Sequence, residues 1–198
     1  METVLTCKKL LLYRFISVLT ASDVYGLFTI FINDIPKINS IPEINNTYTT
    51  IYADDVQLLF SGTPNNLELS KLYAETNLKT MKEWYSQNGL KMNLNKTQCI
   101  IFATPNFNKW AKKFQITIDD TIRHMEDKVK TLGVIFDSRL SFEHNIKSFC
   151  SRLNGTLSYL NKVNNSLDRK SRILLINSLI FSHLNYCSSI WSKCSEKL

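Results

Sequence analysis

Apolar and polar positions alternate most clearly along residues 48–60, YTTIYADDVQLLF. Val56, Leu58 and Phe60 fall on one face of an extended chain, with Gln57 and Leu59 opposite. The richness in Thr, Tyr, Ile, Val and Phe predicts two strands around a turn at Ala53-Asp54-Asp55, and the same alternation groups Tyr52 with Asp54. From 67 to 87 the period changes. Leu67, Leu72, Leu78, Met81, Trp84 and Tyr85 make one broad helical stripe, which Asn88-Gly89 would stop. Residues 99–102, CIIF, read as a buried strand. FQITID (114–119) reads as a strand turning at Asp119-Asp120 into TIRHM, and VKTLGVIF (129–136) as one further strand.

Two amphipathic helices close the chain. The first carries Ile146, Phe149, Leu153, Leu157 and Leu160, and the second Ile173, Ile176, Ile180, Leu184 and Trp191. Ser166 and Asp168 are candidate caps between them. Residues 1–25 read as partly helical, 26–35 as a helix ended by Pro36, and 36–47 and 103–113 as loops. Hairpins beside helices, rather than regular strand–helix alternation, give an α+β class.

Composition sharpens this picture. The 198 residues are 44% hydrophobic and 21% charged, with 5 Gly and 4 Pro, which is globular and excludes collagen-like or low-complexity chains. The net charge of +7 is unevenly placed. Residues 1–108 hold nine basic and nine acidic side chains, whereas 109–198 hold fifteen and eight. A basic C-terminal half points to a polyanion partner, or else to a solvated basic face. Five cysteines without a CxxC pair fit reduced thiols better than a disulfide frame. His183, Cys187 and Cys194 lack an evident fourth ligand for zinc. Lys8-Lys9 before LLLYRFISVLTAS mimics a secretory signal, but Arg14 interrupts it, and no uncharged apolar run is long enough to span a membrane. An intracellular place, cytoplasm and/or nucleus, is expected.

The sharpest chemical feature is Asp54-Asp55 at a tight turn. Adjacent carboxylates repel unless something offsets them, and a Mg²⁺ ion, which takes hard oxygen ligands, does so. Asp119-Asp120 is the ordinary counterpart, a solvated turn. The apolar flanks and Tyr52 set Asp54-Asp55 apart.

IYADDVQLLFSG resembles the catalytic hairpin of reverse transcriptases of non-LTR (LINE-type) retrotransposons. LFTIFINDIP resembles the segment before that hairpin. Trp84 with NGLKMNLNKTQCIIF resembles the family's lysine-bearing motif, through Gly89, Leu90, Asn93, Lys96 and Thr97. TLGVIFDSRLSFEHNI resembles the following primer-grip region, and the helices ending in HLNYCSSIW the thumb-like end. The resemblance covers about Gly26 to Trp191.

It implies a partial palm with the YADD hairpin packed on helices, then a small sheet and a helical thumb-like C-terminus. The divisions would be a divergent segment at 1–25, the palm part at 26–103, and the primer-grip-like hairpin with the thumb-like region at 104–198. Asp54 would ligate two Mg²⁺ ions, with Asp55 in support. Tyr52 would pack near the primer end, and Lys96 would meet the leaving pyrophosphate. Lys147, Arg152, Lys162, Arg169, Lys170 and Arg172 would contact phosphates of an RNA template and DNA primer, with dNTPs as substrates. No membrane is implied.

The departures from the family pattern are specific. Where a Pro-Gln-Gly-Ser-type motif is expected, the sequence reads LTASDVYGLF. The family's further metal-binding Asp belongs on an earlier strand, and the sequence is expected to begin too late to hold it. Asp23 and Asp34 are weak substitutes. The two-metal site is therefore expected to be incomplete and the 198 residues inactive alone. The alternatives are a non-catalytic nucleic-acid-binding remnant and a decayed transposon relic.

Overall fold

The structure is a computed structural model, which describes residues 2–7, 10–12, 32, 33, 35, 47–61, 67–104 and 114–192. The chain divides into two compact units, Met1–Val129 and Lys130–Leu198.

The first unit is built on the expected hairpin. β3 (Thr47–Tyr52) and β4 (Asp55–Ser61) pair antiparallel from Thr47↔Phe60 to Tyr52↔Asp55. Val56, Leu58 and Phe60 are buried, while the alternate β4 residues are half-buried. α1 (Leu67–Gln87) lays Ala74, Leu78, Met81 and Tyr85 into the same core. Leu72, placed on the stripe by spacing, is instead 57% exposed, because Ala74 and Asn77 line the inner face. Asn77 tolerates burial by donating its amide to Tyr73 O at 2.9 Å. Gly89 ends the helix at φ +70°, the left-handed conformation that favours glycine. β5 (Leu90–Met92), a 3₁₀ turn (Leu94–Lys96) and β6 (Gln98–Phe102) follow.

The N-terminal residues depart from expectation. Rather than being partly helical, Glu2–Cys7 form strand β1 and Leu10–Leu12 form β2. β1 lies between β4 and β6, antiparallel to both, in the order β3-β4-β1-β6, and β2 pairs with β5. The cause is tertiary. Without β1, the backbone groups along one edge of β4 and one edge of β6 would lack partners, which outweighs local propensity. The structure thus holds a strand upstream of the hairpin, at residues 2–7, where the sequence was expected to begin too late for one. Of the expected helix at 26–35, Ile32 and Ile35 are helical and buried, and the rest lies outside the described residues, as do most of the 36–47 and 103–113 loops.

β7 (Gln115–Ile118) and β8 (Thr121–His124) form the expected hairpin about Asp119-Asp120. It is tied to α1: Thr117 N donates to Glu75 Oε1 at 2.7 Å, and Lys82 pairs with Asp119. These ties hold residues 114–124 to α1 within the first unit.

In the second unit, the single strand expected over 129–136 is two. β9 (Lys128–Thr131) and β10 (Val134–Asp137) turn at Leu132-Gly133, both at positive φ, the pattern of a tight two-residue hairpin. α2 (Glu143–Val163) follows. The second expected helix is broken. α3 (Arg169–Ile176) runs through a π turn (Asn177–Phe181) into α4 (Ser182–Asn185), and α5 (Ser188–Trp191) is separate. The break serves Tyr186, whose hydroxyl donates to Leu132 O at 2.6 Å, while Trp191 Nε1 donates to Tyr186 O at 3.1 Å. Trp191 also packs on Phe149 at 5.6 Å between ring centroids. Asp168 caps α3 as expected by accepting from Ser171 N; Ser166 caps nothing.

The β10–α2 connection is organised by one carboxylate. Asp137, 7% exposed, accepts from Arg139 N and Ser141 N (both 3.1 Å), Ser141 Oγ (3.0 Å) and Phe142 N (2.7 Å). These bonds hold Leu140 and Phe142 at positive φ. Burial pushes the Asp137 carboxyl up, but the N–H groups of Ser141, Phe142 and Arg139 and the Ser141 hydroxyl together hold it below its ordinary range.

Two outcomes follow. Leu58→Ala, emptying a fully buried position, should cost about 2–5 kcal/mol in urea unfolding monitored on the first unit. Asp137→Ala should cost about 3 kcal/mol by leaving buried donors unmet. The ionised Asp137 contributes fully above the unfolded carboxylate value of about 4, and that contribution is lost as pH falls through its lower native value. Urea midpoints measured down the acid range should therefore decline less for Asp137→Asn than for the native chain.

Candidate active site

Asp54 and Asp55 stand at the tip of the β3–β4 hairpin. Tyr52↔Asp55 is the last cross-strand pair, leaving Ala53-Asp54 as the turn. Ala53 takes φ 50°. A left-handed alanine costs about 1–2 kcal/mol, strain that a glycine would avoid. Because the turn interrupts the alternation, Tyr52 neighbours Asp55 across the strands, not Asp54 as the sequence pattern suggested. Tyr52 and Tyr48 lie on the same sheet face, 64% and 61% exposed. Neither carboxylate has a hydrogen-bond or ion-pair partner among the described residues, and both are half-buried on a rigid hairpin.

Hard carboxylate oxygens suit a divalent cation. Two ions need more: a bridging carboxylate, and charge to offset four positive units. Among the described residues no group of three His, Cys, Asp or Glu is placed to hold a metal. β1 ends beside the hairpin tip with Cys7 paired to Val56, and the sequence continues as Lys8-Lys9, with no acid. Among the described residues, therefore, the acids at the turn number two, short of what a two-ion centre takes.

Lys96 closes the 3₁₀ turn before β6 and is exposed. The turn is fastened from within. Lys96 N donates to Asn93 O at 3.1 Å, and the buried Thr97 hydroxyl donates to the same oxygen at 3.1 Å. Strand register locates it. Thr6 pairs with Gln57 on one side and with Gln98 on the other. Asp55 and Lys96 each lie two residues before that line, on strands running the same way. Both therefore lie toward the same end of the sheet, Asp55 at the start of β4 and Lys96 in the turn that leads into β6. The sequence named both residues, but only β1, which it misread, brings them to one end.

The second unit carries the other candidates. Lys147 pairs with Glu143 one turn back on α2, and Arg172 Nε donates to Leu167 O at 3.1 Å. Arg152, Lys162, Arg169 and Lys170 are exposed and have no partner among the described residues. On α2 the cations lie away from the Ile146–Phe149–Leu153 stripe. Arg169 and Lys170 occupy the first turn of α3, where the helix dipole disfavours positive charge by about 0.3–1 kcal/mol each. No residue of the helices from α2 to α5 is buried, and Leu157, Ile173, Leu174 and Phe181 are among the exposed apolar side chains.

Asp54→Asn and Lys96→Gln remove charge where the fold uses none. Each should move the unfolding free energy by less than about 0.5 kcal/mol in urea titration.

Comparison with known sequences adds an independent line. The profile of the family described as "Reverse transcriptase (RNA-dependent DNA polymerase)" matches residues 26–136, more than half of the chain. The chain is also similar to the "Retrovirus-related Pol polyprotein from type-1 retrotransposable element R1" of Nasonia vitripennis, at 22% identity over 152 residues. That match covers 74% of this chain and 44% of the relative, so the chain spans less than half of the relative's length. No solved structure matches the chain.

Proposed function

The chain belongs to the reverse transcriptase (RNA-dependent DNA polymerase) family, and we propose that it is the palm and thumb-like portion of such an enzyme from a non-LTR retrotransposon. The observation that carries this reading is the meeting of the Asp54-Asp55 turn and the Lys96 turn at one end of a single sheet, inside the family match. Nucleotidyl transfer to a DNA end needs acidic groups where the attacking and leaving oxygens are neutralised, and a cation where pyrophosphate departs. Asp54 and Asp55 take the first role and Lys96 the second. Tyr52, exposed beside Asp55, offers a flat ring for the primer terminus. Template-directed synthesis on RNA, with a DNA primer and dNTPs, is the reaction class, and the setting is intracellular.

Mg²⁺ is the divalent cation this chemistry would use, but the two carboxylates do not complete a two-ion centre. The 198-residue chain alone is therefore inactive in synthesis. Binding needs less. Arg152, Lys162, Arg169 and Lys170 are exposed cations without side-chain partners among the described residues, two of them at a helix end that disfavours them. That placement supports contact with nucleic-acid phosphates, and with it a second reading, a module that keeps affinity for a primed template without catalysis.

Incubated with Mg²⁺, dNTPs and primed RNA, the chain should extend no primer. Incorporation abolished by Asp54→Asn would overturn the inactivity. In anisotropy titrations, RNA–DNA duplex should bind with an affinity that falls steeply with salt. Each of Arg152→Gln, Lys162→Gln, Arg169→Gln and Lys170→Gln should lower the log–log salt slope by about one. A salt-independent response would remove the nucleic-acid role.

A further inference from the structure

The segment from α3 through its π turn turns its apolar side chains two ways. Leu175, Ile180 and Leu184 are half-buried. Ile173, Leu174, Ile176, Leu179 and Phe181 instead lie between 38% and 68% exposed. The π turn helps to gather this outer set. Ser182 N donates to Asn177 O, five residues back, and Ile176 and Phe181 are likewise five apart. In a continuous α-helix, positions five apart differ by about 140° around the axis, which would part these two side chains. The wider turn keeps them on one side. Such turns are rare and concentrate at functional positions.

Charge along the same helices is one-sided. From His144 to Ser192 the cations are Lys147, Arg152, Lys162, Arg169, Lys170 and Arg172, and the one acid is Asp168, engaged as the α3 cap. Arg169 and Lys170 are exposed, without side-chain partners among the described residues. They stand three and four residues before Ile173 and Leu174, which puts cations and apolar groups on one helix surface.

One occupant must therefore bring apolar surface and negative charge together. A duplex offers phosphates, and nothing for four aliphatic side chains. A single strand stacks its bases on aromatic side chains, and here Phe181 stands alone among aliphatic ones. A second copy brings the same charge of +7. An amphipathic helix with acidic residues beside its stripe meets both needs. Residues 169–181 give it a track of about 20 Å, between three and four turns.

We propose that the outer face of α3 and its π turn is a docking surface for an acidic amphipathic helix of a partner protein. The partner's apolar stripe covers Ile173, Ile176 and Phe181, and its carboxylates pair with Arg169 and Lys170. This goes beyond the polymerase reading and does not rest on it, although Arg169 and Lys170 serve both.

The test is an anisotropy titration of a labelled synthetic helix with the whole chain at low salt. The probe has about 18 residues, with Leu at i, i+3, i+4 and i+7 spacing and Glu beside them. Saturable binding is expected. Ile173→Ser with Phe181→Ser, and separately Arg169→Glu with Lys170→Glu, should each weaken it about tenfold or more. Circular dichroism of the variants should match the native chain. If the apolar double variant loses helix, Leu174→Gln, at the most exposed of the five positions, decides in its place. Probes with Gln for Glu, or with Ser for Leu, should bind about tenfold more weakly or not at all. Absence of saturable binding overturns the proposal, as does equal binding of the Gln probe or unchanged binding by the apolar variant. Sedimentation with phosphatidylserine vesicles that needs Ile173 and Phe181, when the probe does not bind, assigns the face to a lipid surface and also overturns it. Duplex binding without probe binding removes the docking surface and leaves the nucleic-acid role. Probe binding without duplex binding does the reverse.

Discussion

Backbone pairing of β1 is the constraint on which the first unit depends. The β3–β4 hairpin and β6 share no hydrogen bonds with each other, and both are joined to β1, which satisfies an edge of each. Its register fixes where the hairpin tip stands relative to the lysine-bearing turn, and so fixes the spacing of the candidate site. Glu2–Cys7 precede the span that matches the family, 26–136. The strand that orders the site therefore lies outside the span matched by the family model. Strand pairing is tolerant in this way, since main-chain bonds ask for length and an extended backbone more than for particular side chains.

In the second unit a single carboxylate plays the comparable part. Asp137 gathers the donors of a bend that no regular element could satisfy, and its position before Ser138-Arg139-Leu140-Ser141 decides where α2 begins. Tyr186 then pins the C-terminal helices to the β9–β10 turn, its ring 3.4 Å from where a Cβ on Gly133 would stand. The helices themselves bury nothing fully. Their order rests on a few directed contacts rather than on a deep core, which leaves cations and apolar side chains together at the surface.

What the sequence revealed divides along physical lines. The β3–β4 hairpin, α1, the Gly89 stop, the Asp119-Asp120 turn and the Asp168 cap were legible because each is set by neighbours a few residues away. Asp54, Asp55 and Lys96 were legible by motif. The β1 strand was not, because its preference is decided by two partner strands far downstream, at 55–61 and 98–102. The split of 129–136 was missed although Leu132-Gly133 carried the signal, a glycine inside an apolar run. The break at Tyr186 has no local mark, since it exists to let one hydroxyl reach Leu132 O.

The costly features of this chain lie where ligands would be. A left-handed alanine, Arg123 with an unmet Nε donor and two cations at the positive end of a helix all weaken the fold. None is repaired by a neighbour among the described residues. Such a set is explained if each position answers to phosphate or metal rather than to packing. Yet among the described residues the acidic turn has no further carboxylate that would let two ions share it, and β1 is described as far as Cys7, beside the hairpin tip. Charge balance then separates two properties that an intact polymerase combines. Anion recognition needs only exposed or unmet donors, and these remain. Chemistry at a metal pair needs a further acid, and among the described residues none joins the two at the turn.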